Sequence, residues 1–205
     1  DIPNHPYARL RQPEIETAMN QFLEFMEAAD RPYMVNKNQN TEVITPVGTV
    51  KRTYAVPRSM WAGAIALKEK QSCLIVDFVG LKAFSAKQIA DMLMPRWPKI
   101  RPLRISFPAV GASADLYPEQ MARSLEVPSN RIKLADAIRP HLADAKSLGL
   151  PAILGIYKPR QVRNHLEELL GVDIFEIPTI PPSVPGVRLK EALEKFLSDK
   201  GVRLI

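Results

Sequence analysis

Two short stretches of the sequence carry residue types suited to binding a ligand. The first, EIPTIPPSVPGVRLKEAL at residues 176–193, places several prolines before Ser183, Gly186 and Arg188, where a helix is predicted to begin. Helix N-termini attract anions, and a guanidinium on the first turn can bind a phosphate or carboxylate through two hydrogen bonds. The stretch therefore predicts an anion site held rigid by the prolines. The alternative is a stiff connection in which Arg188 pairs with an acid or lies in solvent.

The second stretch, EVITPVGTVKRTYAVP, contains the polar cluster Thr45, Gly48, Thr49 and Arg52. Its hydroxyl groups, and the close approach that a glycine permits, suit the edge of a ligand or cofactor. Proline and glycine also mark turns, so an ordinary turn between two strands explains the same residues more simply. Both interpretations remain open from the sequence.

Several other kinds of chemistry are missing from the sequence. It has no G-x-G-x-x-G and no G-x-x-x-x-G-K-[ST] motif, so the chain itself carries neither a dinucleotide cradle nor a P-loop. The three histidines lie far apart and Cys73 is the single cysteine, so we expect no metal site and no disulfide. A G-x-S-x-G nucleophile motif is also missing. The sequence therefore assigns no catalytic residue.

Charge and hydrophobicity restrict the class of partner. The formal charge of +6 favours anionic partners, but the basic residues are scattered among acids, so we expect no nucleic-acid partner. No apolar run approaches the roughly 20 residues that span a bilayer, and the N-terminus lacks a signal-peptide pattern. The chain is therefore predicted to be soluble and cytoplasmic.

The elements that must position these residues follow an α/β pattern. Helical spacing of apolar residues predicts a helix from Pro13 to near Asp30, and Pro46-Val47-Gly48 is predicted to be the turn of a β-hairpin. From Ser72 onward, apolar runs alternate with helices, which is typical of a mostly parallel sheet flanked by helices in a Rossmann-like, three-layer arrangement. We predict an N-terminal helix and hairpin segment at residues 1–70 and an α/β domain at residues 71–205.

Local signals place helix ends within the α/β part. Ser85 is predicted to cap a helix, and Ser129 is predicted to cap a longer one that runs to Lys146, with a kink at Pro140 and an end at Gly149. Ligands of open parallel sheets bind outside the carboxyl ends of the strands. The predicted carboxyl ends are Asp77–Gly80, Phe107–Gly111, Tyr157–Lys158 and Pro178–Thr179.

The segment IPTIPPSVPGVRLKEALEKFLSDKGV resembles the pattern P-T-x-P-P-S-x-x-G-x-R-L of the family of anaerobic glycerol-3-phosphate dehydrogenase B subunits. These are flavoproteins related to the fumarate reductase flavoprotein class. The stretches HPY, ITPVGTVKRTY, LIVDFVGLKAF and LADAIRP resemble family stretches in the same order. The resemblance spans nearly the whole chain and is loose between Met94 and Asp115.

The resemblance implies that the chain is an internal fragment of a longer flavoprotein. FAD or FMN would be bound by the full-length protein, largely through stretches before and after this one, and the isolated fragment would be inactive. Such proteins are similar to enzymes that oxidise sn-glycerol 3-phosphate to dihydroxyacetone phosphate. The implied partners are a small anionic substrate, an iron-sulfur subunit and, through the complex only, a membrane containing quinone.

The resemblance also implies two groups of site residues. One group lies near flavin or substrate and comprises Thr45, Pro46, Gly48 and Thr49. The other comprises Pro181, Pro182, Ser183, Gly186 and Arg188. No histidine accompanies either group, so the general base stays unassigned. A noncatalytic α/β module that recognises an anionic ligand or a partner protein is the alternative function.

Overall fold

The computed structural model of the chain describes residues 5–37, 39–82, 84–108 and 115–202. Within these residues the chain forms seven α-helices and eight β-strands. The helices are α1 (Gln12–Ala28), α2 (Arg58–Glu69), α3 (Ala86–Leu93), α4 (Pro118–Leu125), α5 (Pro128–Ile138), α6 (Pro159–Leu170) and α7 (Val184–Asp199). The strands are β1 (Tyr33–Val35), β2 (Thr41–Ile44), β3 (Val50–Thr53), β4 (Ala55–Pro57), β5 (Cys73–Phe78), β6 (Ile100–Ile105), β7 (Ser147–Pro151) and β8 (Asp173–Ile177).

Four strands form a parallel sheet in the order β6-β5-β7-β8. Cys73 at the start of β5 lies opposite Ile100 of β6 on one side and Ser147 of β7 on the other. Every residue of β5 is buried, as expected of a parallel strand covered on both faces. The predicted α/β class, a mostly parallel sheet flanked by helices with an N-terminal helix and a hairpin, is confirmed.

Two antiparallel pairs precede this sheet. β2 and β3 form the predicted hairpin, and β1 pairs with β4 so that Met34 lies opposite Val56, a pairing that the sequence analysis did not foresee. The following helix, α2, packs directly on β8, where Gly63 lies against the ring of Phe175. Helix α2 thus packs on the sheet, and the division of residues 1–70 from residues 71–205 stays a prediction.

A helix lies where one was predicted from Ser129 to Lys146, but its predicted bounds and kink are wrong. Helix α5 has Pro128 in its first turn and ends at Ile138, and Pro140 lies in a short 3-10 turn that follows. Proline lacks an amide donor and clashes with the carbonyl one turn earlier, so the α-helix stops where a kink was expected.

The predicted role of Gly149 is also wrong, because this residue lies in the middle of β7 and does not end a helix. A Cβ at position 149 would lie 2.9 Å from Cζ of Phe175 and would also collide with Ile75. The glycine is needed for cross-strand packing. In contrast, the predicted cap of α3 is confirmed, since Ser85 Oγ accepts a hydrogen bond of 3.3 Å from the Gln88 amide.

The helices are short or polar by the standard of membrane proteins. Across the part of the chain that the structure describes, none of them combines the length and the apolar composition needed to cross a bilayer.

Candidate functional site

The strand order of the parallel sheet reverses between β5 and β7, and the candidate site lies at the edge formed by the carboxyl ends of the strands. The chain passes from β5 to β6 on one side, then returns to β7 on the other side of β5. Ligands of open α/β sheets bind in the crevice at such a point. β7 ends at Pro151, earlier than the predicted end at Tyr157–Lys158, so a loop of residues 152–158 follows it at this edge. Of the predicted end Phe107–Gly111, residues 109–111 lie outside the described residues.

Four charged side chains from separate parts of the chain bind the backbone of this loop, which we call the β7 loop. Glu176 of β8 accepts a 2.8 Å hydrogen bond from the Leu154 amide, and Arg188 of α7 donates to the Gly155 carbonyl. Because ionised groups make the stronger hydrogen bonds of proteins, these contacts fix the loop firmly.

The second half of the β7 loop is bound in the same way. Oε1 of Glu126, which follows α4, accepts hydrogen bonds from the three successive amides of residues 156–158, at 2.9, 2.6 and 3.2 Å. Arg31, beyond the end of α1, donates to the carbonyls of Ile156 and Tyr157 at 3.1 and 3.0 Å. Successive amides of this kind form a concavity that binds anions, and here a carboxylate of the chain itself fills it.

Arg188 lies inside the protein. Its side chain is 7% exposed and forms a two-point ion pair with Glu176, with Nη1 2.6 Å from Oε2 and Nη2 2.8 Å from Oε1. The sequence left two possibilities open for Arg188, an external anion or an acid of the chain itself, and the structure shows the pairing with an acid. Four of its hydrogen bonds go to Glu176 and Gly155, which leaves one of the five guanidinium N–H groups for another acceptor. Binding of an external anion by Arg188 stays a prediction.

The buried carboxyl of Glu176 is held in its ionised form. Burial alone opposes its ionisation, but the neighbouring Arg188 charge and the hydrogen bonds from Arg188, Ser59 and the Leu154 amide outweigh burial. Together they keep the pKa of Glu176 below its ordinary value.

Ser183, which lies earlier in the proline-rich motif, faces a different surface. Ser183 is the N-cap residue of α7 and makes no side-chain capping bond within the described residues. A Cβ at position 186 would lie 3.7 Å from Ser183 Oγ, an ordinary contact distance. Ser183 lines a groove with Gly80, Lys82 and Arg123, whereas Arg188 lines a separate pocket. The structure therefore divides this motif between two surfaces.

The polar groups of the hairpin cluster bond mainly to one another. The hydroxyls of Thr45 and Thr49 lie 2.7 Å apart, and the Thr49 amide donates to Thr45 Oγ1 at 3.2 Å. Gly48 has a φ of +81° and packs against Ile89 of α3, so its close approach is to a helix. Arg52 pairs with Glu42 at 3.3 Å and is exposed. These contacts match the ordinary turn, and ligand binding here stays a prediction.

The two predicted clusters contact different parts of the sheet. The hairpin turn packs on α3, which lies along β5 and β6, whereas Arg188 contacts β8 at the opposite edge of the sheet. The structure does not bring the hairpin cluster and Arg188 together.

Asp77 at the end of β5 is another buried acid at this edge of the sheet. Its Oδ2 accepts a 3.2 Å hydrogen bond from the Ala86 amide. Its buried Oδ1 has no hydrogen-bond partner among the described residues and lies 3.5 Å from Arg104 Nε. Burial raises the pKa of Asp77, and the Ala86 amide and Arg104 offset part of that rise.

The hydrogen bond between Asp77 and the Ala86 amide shows whether this chain can hold the diphosphate of a dinucleotide cofactor. In dinucleotide-binding folds, a glycine-rich turn and the N-terminus of the helix after the first sheet strand hold the diphosphate. Here the first amide of α3, at Ala86, is taken by Asp77, and the sequence lacks G-x-G-x-x-G. The residues of this chain do not fit that role.

The sequence gives no sign of Arg31, Glu126 or Glu176, which bind the β7 loop together with Arg188. Glu126 is 30 residues from Ile156, and Arg31 is 125 residues from the same residue. No local motif can link residues so far apart in the chain, so only the fold identifies them as one group.

Comparison with known families and proteins gives a consistent result. The family described as FAD binding domain matches residues 1–205. Among curated proteins, the chain is 32% identical to the B subunit of the probable anaerobic glycerol-3-phosphate dehydrogenase of Halobacterium salinarum, over 98% of the chain and 48% of the relative. It is 26% identical to the B subunit of the anaerobic glycerol-3-phosphate dehydrogenase of Aliivibrio fischeri, over 98% of the chain and 47% of the relative.

The protein of that name in Pectobacterium atrosepticum is 25% identical, over 97% of the chain and 48% of the relative. The chain thus spans about half the length of the curated relatives that it matches. No solved structure matches it.

Proposed function

Because this chain belongs to the FAD binding domain family, we propose that it is part of an FAD-dependent oxidoreductase that oxidises sn-glycerol 3-phosphate to dihydroxyacetone phosphate. The observation that carries this proposal is the similarity to glycerol-3-phosphate dehydrogenase B subunits over 98% of the chain. The basic character of the chain, with a formal charge of +6, suits a phosphorylated substrate.

The first amide of α3 is already hydrogen-bonded within the chain, which supports FAD binding by other parts of the full-length protein. The Asp77 carboxylate already accepts the hydrogen bond of the Ala86 amide, so we assign the diphosphate of FAD to portions of the polypeptide outside this chain. This chain then contributes the β7 loop, the hairpin and the polar residues Thr45, Thr49, Arg52 and Ser183 to the surroundings of flavin or substrate. FAD is the proposed flavin, and FMN is the alternative.

The relatives are named as subunits, which supports an assembly with further subunits. We propose that an iron-sulfur subunit receives the electrons and passes them to membrane quinone. Membrane contact would then come through partner subunits, with this chain on the cytoplasmic side.

The experiment uses the full-length protein, purified and assayed without oxygen. Extraction and chromatography identify the flavin, and the loss of visible flavin absorbance on adding sn-glycerol 3-phosphate measures substrate oxidation. We expect bound FAD that sn-glycerol 3-phosphate reduces and that glycerol does not. A protein with bound flavin that no phosphorylated polyol reduces would contradict the proposed substrate.

A second candidate function is noncatalytic docking of another protein of the assembly. Its support is the apolar stripe of α7, where Leu189, Leu193 and Leu197 are only half-buried and Phe196 is 37% exposed. Full-length protein that binds partner subunits but retains no flavin would favour this function over the first.

A further inference from the structure

Five arginines line one pocket, which we call the arginine pocket. It lies between the end of α1, the β1–β4 ribbon and the N-terminal ends of α2, α6 and α7. Its arginines are Arg31, Arg58, Arg160, Arg163 and Arg188. Asp30 is the one acidic residue among the described residues that line it. The pocket therefore carries a large excess of positive charge at a place where several elements meet.

Acids near the pocket neutralise only part of this charge. Arg188 pairs with buried Glu176, Arg160 lies 3.4 Å from Asp30, and Arg163 lies 3.6 Å from Glu167. The two remaining arginines form no ion pair within the described residues, although three acids act on Arg31 from farther away.

Those two arginines bond to neutral groups. Arg31 donates to backbone carbonyls of residues 30, 156 and 157, and Arg58 Nη1 approaches Met34 Sδ at 3.5 Å. Burial lowers the pKa of Arg31 and the nearby Arg188 charge lowers it further, whereas the acids Asp30, Glu191 and Glu126 offset part of that shift. A bound dianion would remove this repulsion.

One hydrogen bond of the pocket's arginines is incomplete. Arg163 Nε is buried and makes no hydrogen bond within the described residues, because its ion-pair partner Glu167 Oε1 lies 3.6 Å away. An oxygen ligand that reached Nε would supply the hydrogen bond that Glu167 is too distant to make.

Helix ends add to the positive potential. Arg58 and Ser59 begin α2, Pro159 and Arg160 begin α6, and Pro185 lies in the first turn of α7, and all five line the pocket. The N-terminus of an α-helix carries a partial positive charge of about half an elementary charge. Three such ends favour an anion of high charge density.

The remaining wall of the pocket limits the type of ligand. It is apolar and comprises Met26, Pro32, Tyr33, Pro57 and Leu189. An apolar wall beside an arginine cluster suits an anion that carries a short carbon skeleton.

We infer that the arginine pocket binds the phosphate dianion of a small phosphate monoester. A phosphate has three terminal oxygens, and guanidinium groups bind such oxygens in pairs through charge-assisted hydrogen bonds. The inference deepens the proposed function, on which it rests for the identity of the ester as glycerol 3-phosphate. The phosphate chemistry rests on the pocket alone.

The test measures binding to the full-length protein by titration calorimetry, with inorganic phosphate and sn-glycerol 3-phosphate as separate probes. The variants are Arg58→Gln, Arg160→Gln and the double variant, because both side chains are exposed and their loss leaves the β7 loop bonded. Arg139→Gln is the matched control, since Arg139 is also exposed and pairs with Asp136 outside the pocket.

We expect each pocket variant to lose about tenfold to hundredfold in affinity for both probes, because charged hydrogen bonds are lost. Arg160→Lys should keep part of the affinity that Arg160→Gln loses, and Arg139→Gln should bind like the unmodified protein. Unchanged phosphate affinity in the double variant would overturn the inference.

The two other outcomes separate the possible ligands. If the double variant keeps its phosphate affinity but loses bound flavin, the pocket serves the flavin diphosphate and the monoester assignment is wrong. If the variants lose phosphate affinity while the unmodified protein does not oxidise sn-glycerol 3-phosphate, the pocket inference stands and the proposed substrate fails.

Discussion

Arg188 and Glu176 form a buried two-point ion pair that joins α7 to β8. The nitrogen–oxygen distances are 2.6 and 2.8 Å, and the two side chains are 7% and 0% exposed. The same two residues hold the β7 loop, because Glu176 accepts from the Leu154 amide and Arg188 donates to the Gly155 carbonyl. Arg188, which the sequence predicts to bind an external anion, is thus already paired with the carboxylate of Glu176.

Arg188→Met should destabilise the protein by about 3–5 kcal/mol, because it leaves the Glu176 carboxylate buried without its counter-charge. Urea unfolding of the full-length protein measures this loss. The control is Lys190→Met, whose ion pair with Glu194 is exposed and should contribute less than about 1 kcal/mol. Combining Arg188→Met with Glu176→Leu should cost less than the sum of the two single changes. Equal stability of Arg188→Met and the unmodified protein would contradict the prediction.

The acid dependence of stability should change in Glu176→Gln. The pKa of Glu176 is lowered in the folded protein, so its contribution is present above the ordinary carboxyl pKa and is lost as pH falls through the folded value. The variant lacks this contribution, and its unfolding free energy should fall less steeply between neutral pH and the acid range. Parallel curves for the two proteins would show that Glu176 does not titrate as proposed.

Asp77→Asn should have the opposite pH signature. Burial raises the pKa of Asp77, so the folded protein binds its proton more tightly than the unfolded chain does. The unmodified protein therefore loses stability as pH rises from the ordinary aspartate range through the raised value. The stability of the variant relative to the unmodified protein should increase over that window. Asp136→Asn, an exposed change, is the control, and an unfolding free energy difference for Asp77→Asn that does not change with pH would refute the assignment.

The parallel sheet was predictable because its signals are local. Buried parallel strands need continuous apolar runs such as Cys73–Phe78. The helix cap is equally local, because Ser85 accepts its hydrogen bond from the amide of Gln88, within the same short motif. Gly149 could not be assigned in this way. A glycine between leucines resembles a helix end, and the reason for its presence in β7 is the Phe175 ring from another strand.

The candidate site was less predictable because it is assembled from distant segments. Its arginines come from the end of α1 and from α2, α6 and α7, and no spacing rule relates Arg31 to Arg163. Ser183 and Arg188 belong to one motif in the sequence, but the helix turns them toward different surfaces. A motif identifies residues that are adjacent in sequence, whereas direction around a helix and partners across the fold decide what each residue contacts.

Gly48→Ala should destabilise the protein more than Gly171→Ala. Both glycines have positive φ, at +81° and +69°, so each change costs about 1–2 kcal/mol of backbone strain. A Cβ at position 48 would also lie 2.8 Å from Ile89 Cα, whereas no described atom lies within 4 Å of a Cβ at position 171. The additional collision should cost about 1–3 kcal/mol in unfolding experiments. Equal losses would mean that the hairpin turn does not depend on contact with α3.

Glu126→Ala should loosen the β7 loop locally. One carboxylate oxygen accepts from all three amides of residues 156–158, so its removal leaves these donors without their acceptor. We expect faster hydrogen exchange at the three amides and a loss of about 1–3 kcal/mol in stability. Asp91→Ala is the control, because Asp91 pairs with exposed Lys87 one turn away in α3. Exchange rates at residues 156–158 that match the control would show that the loop is held by its other partners. Faster exchange there alone would identify Glu126 as the anion that the loop amides require.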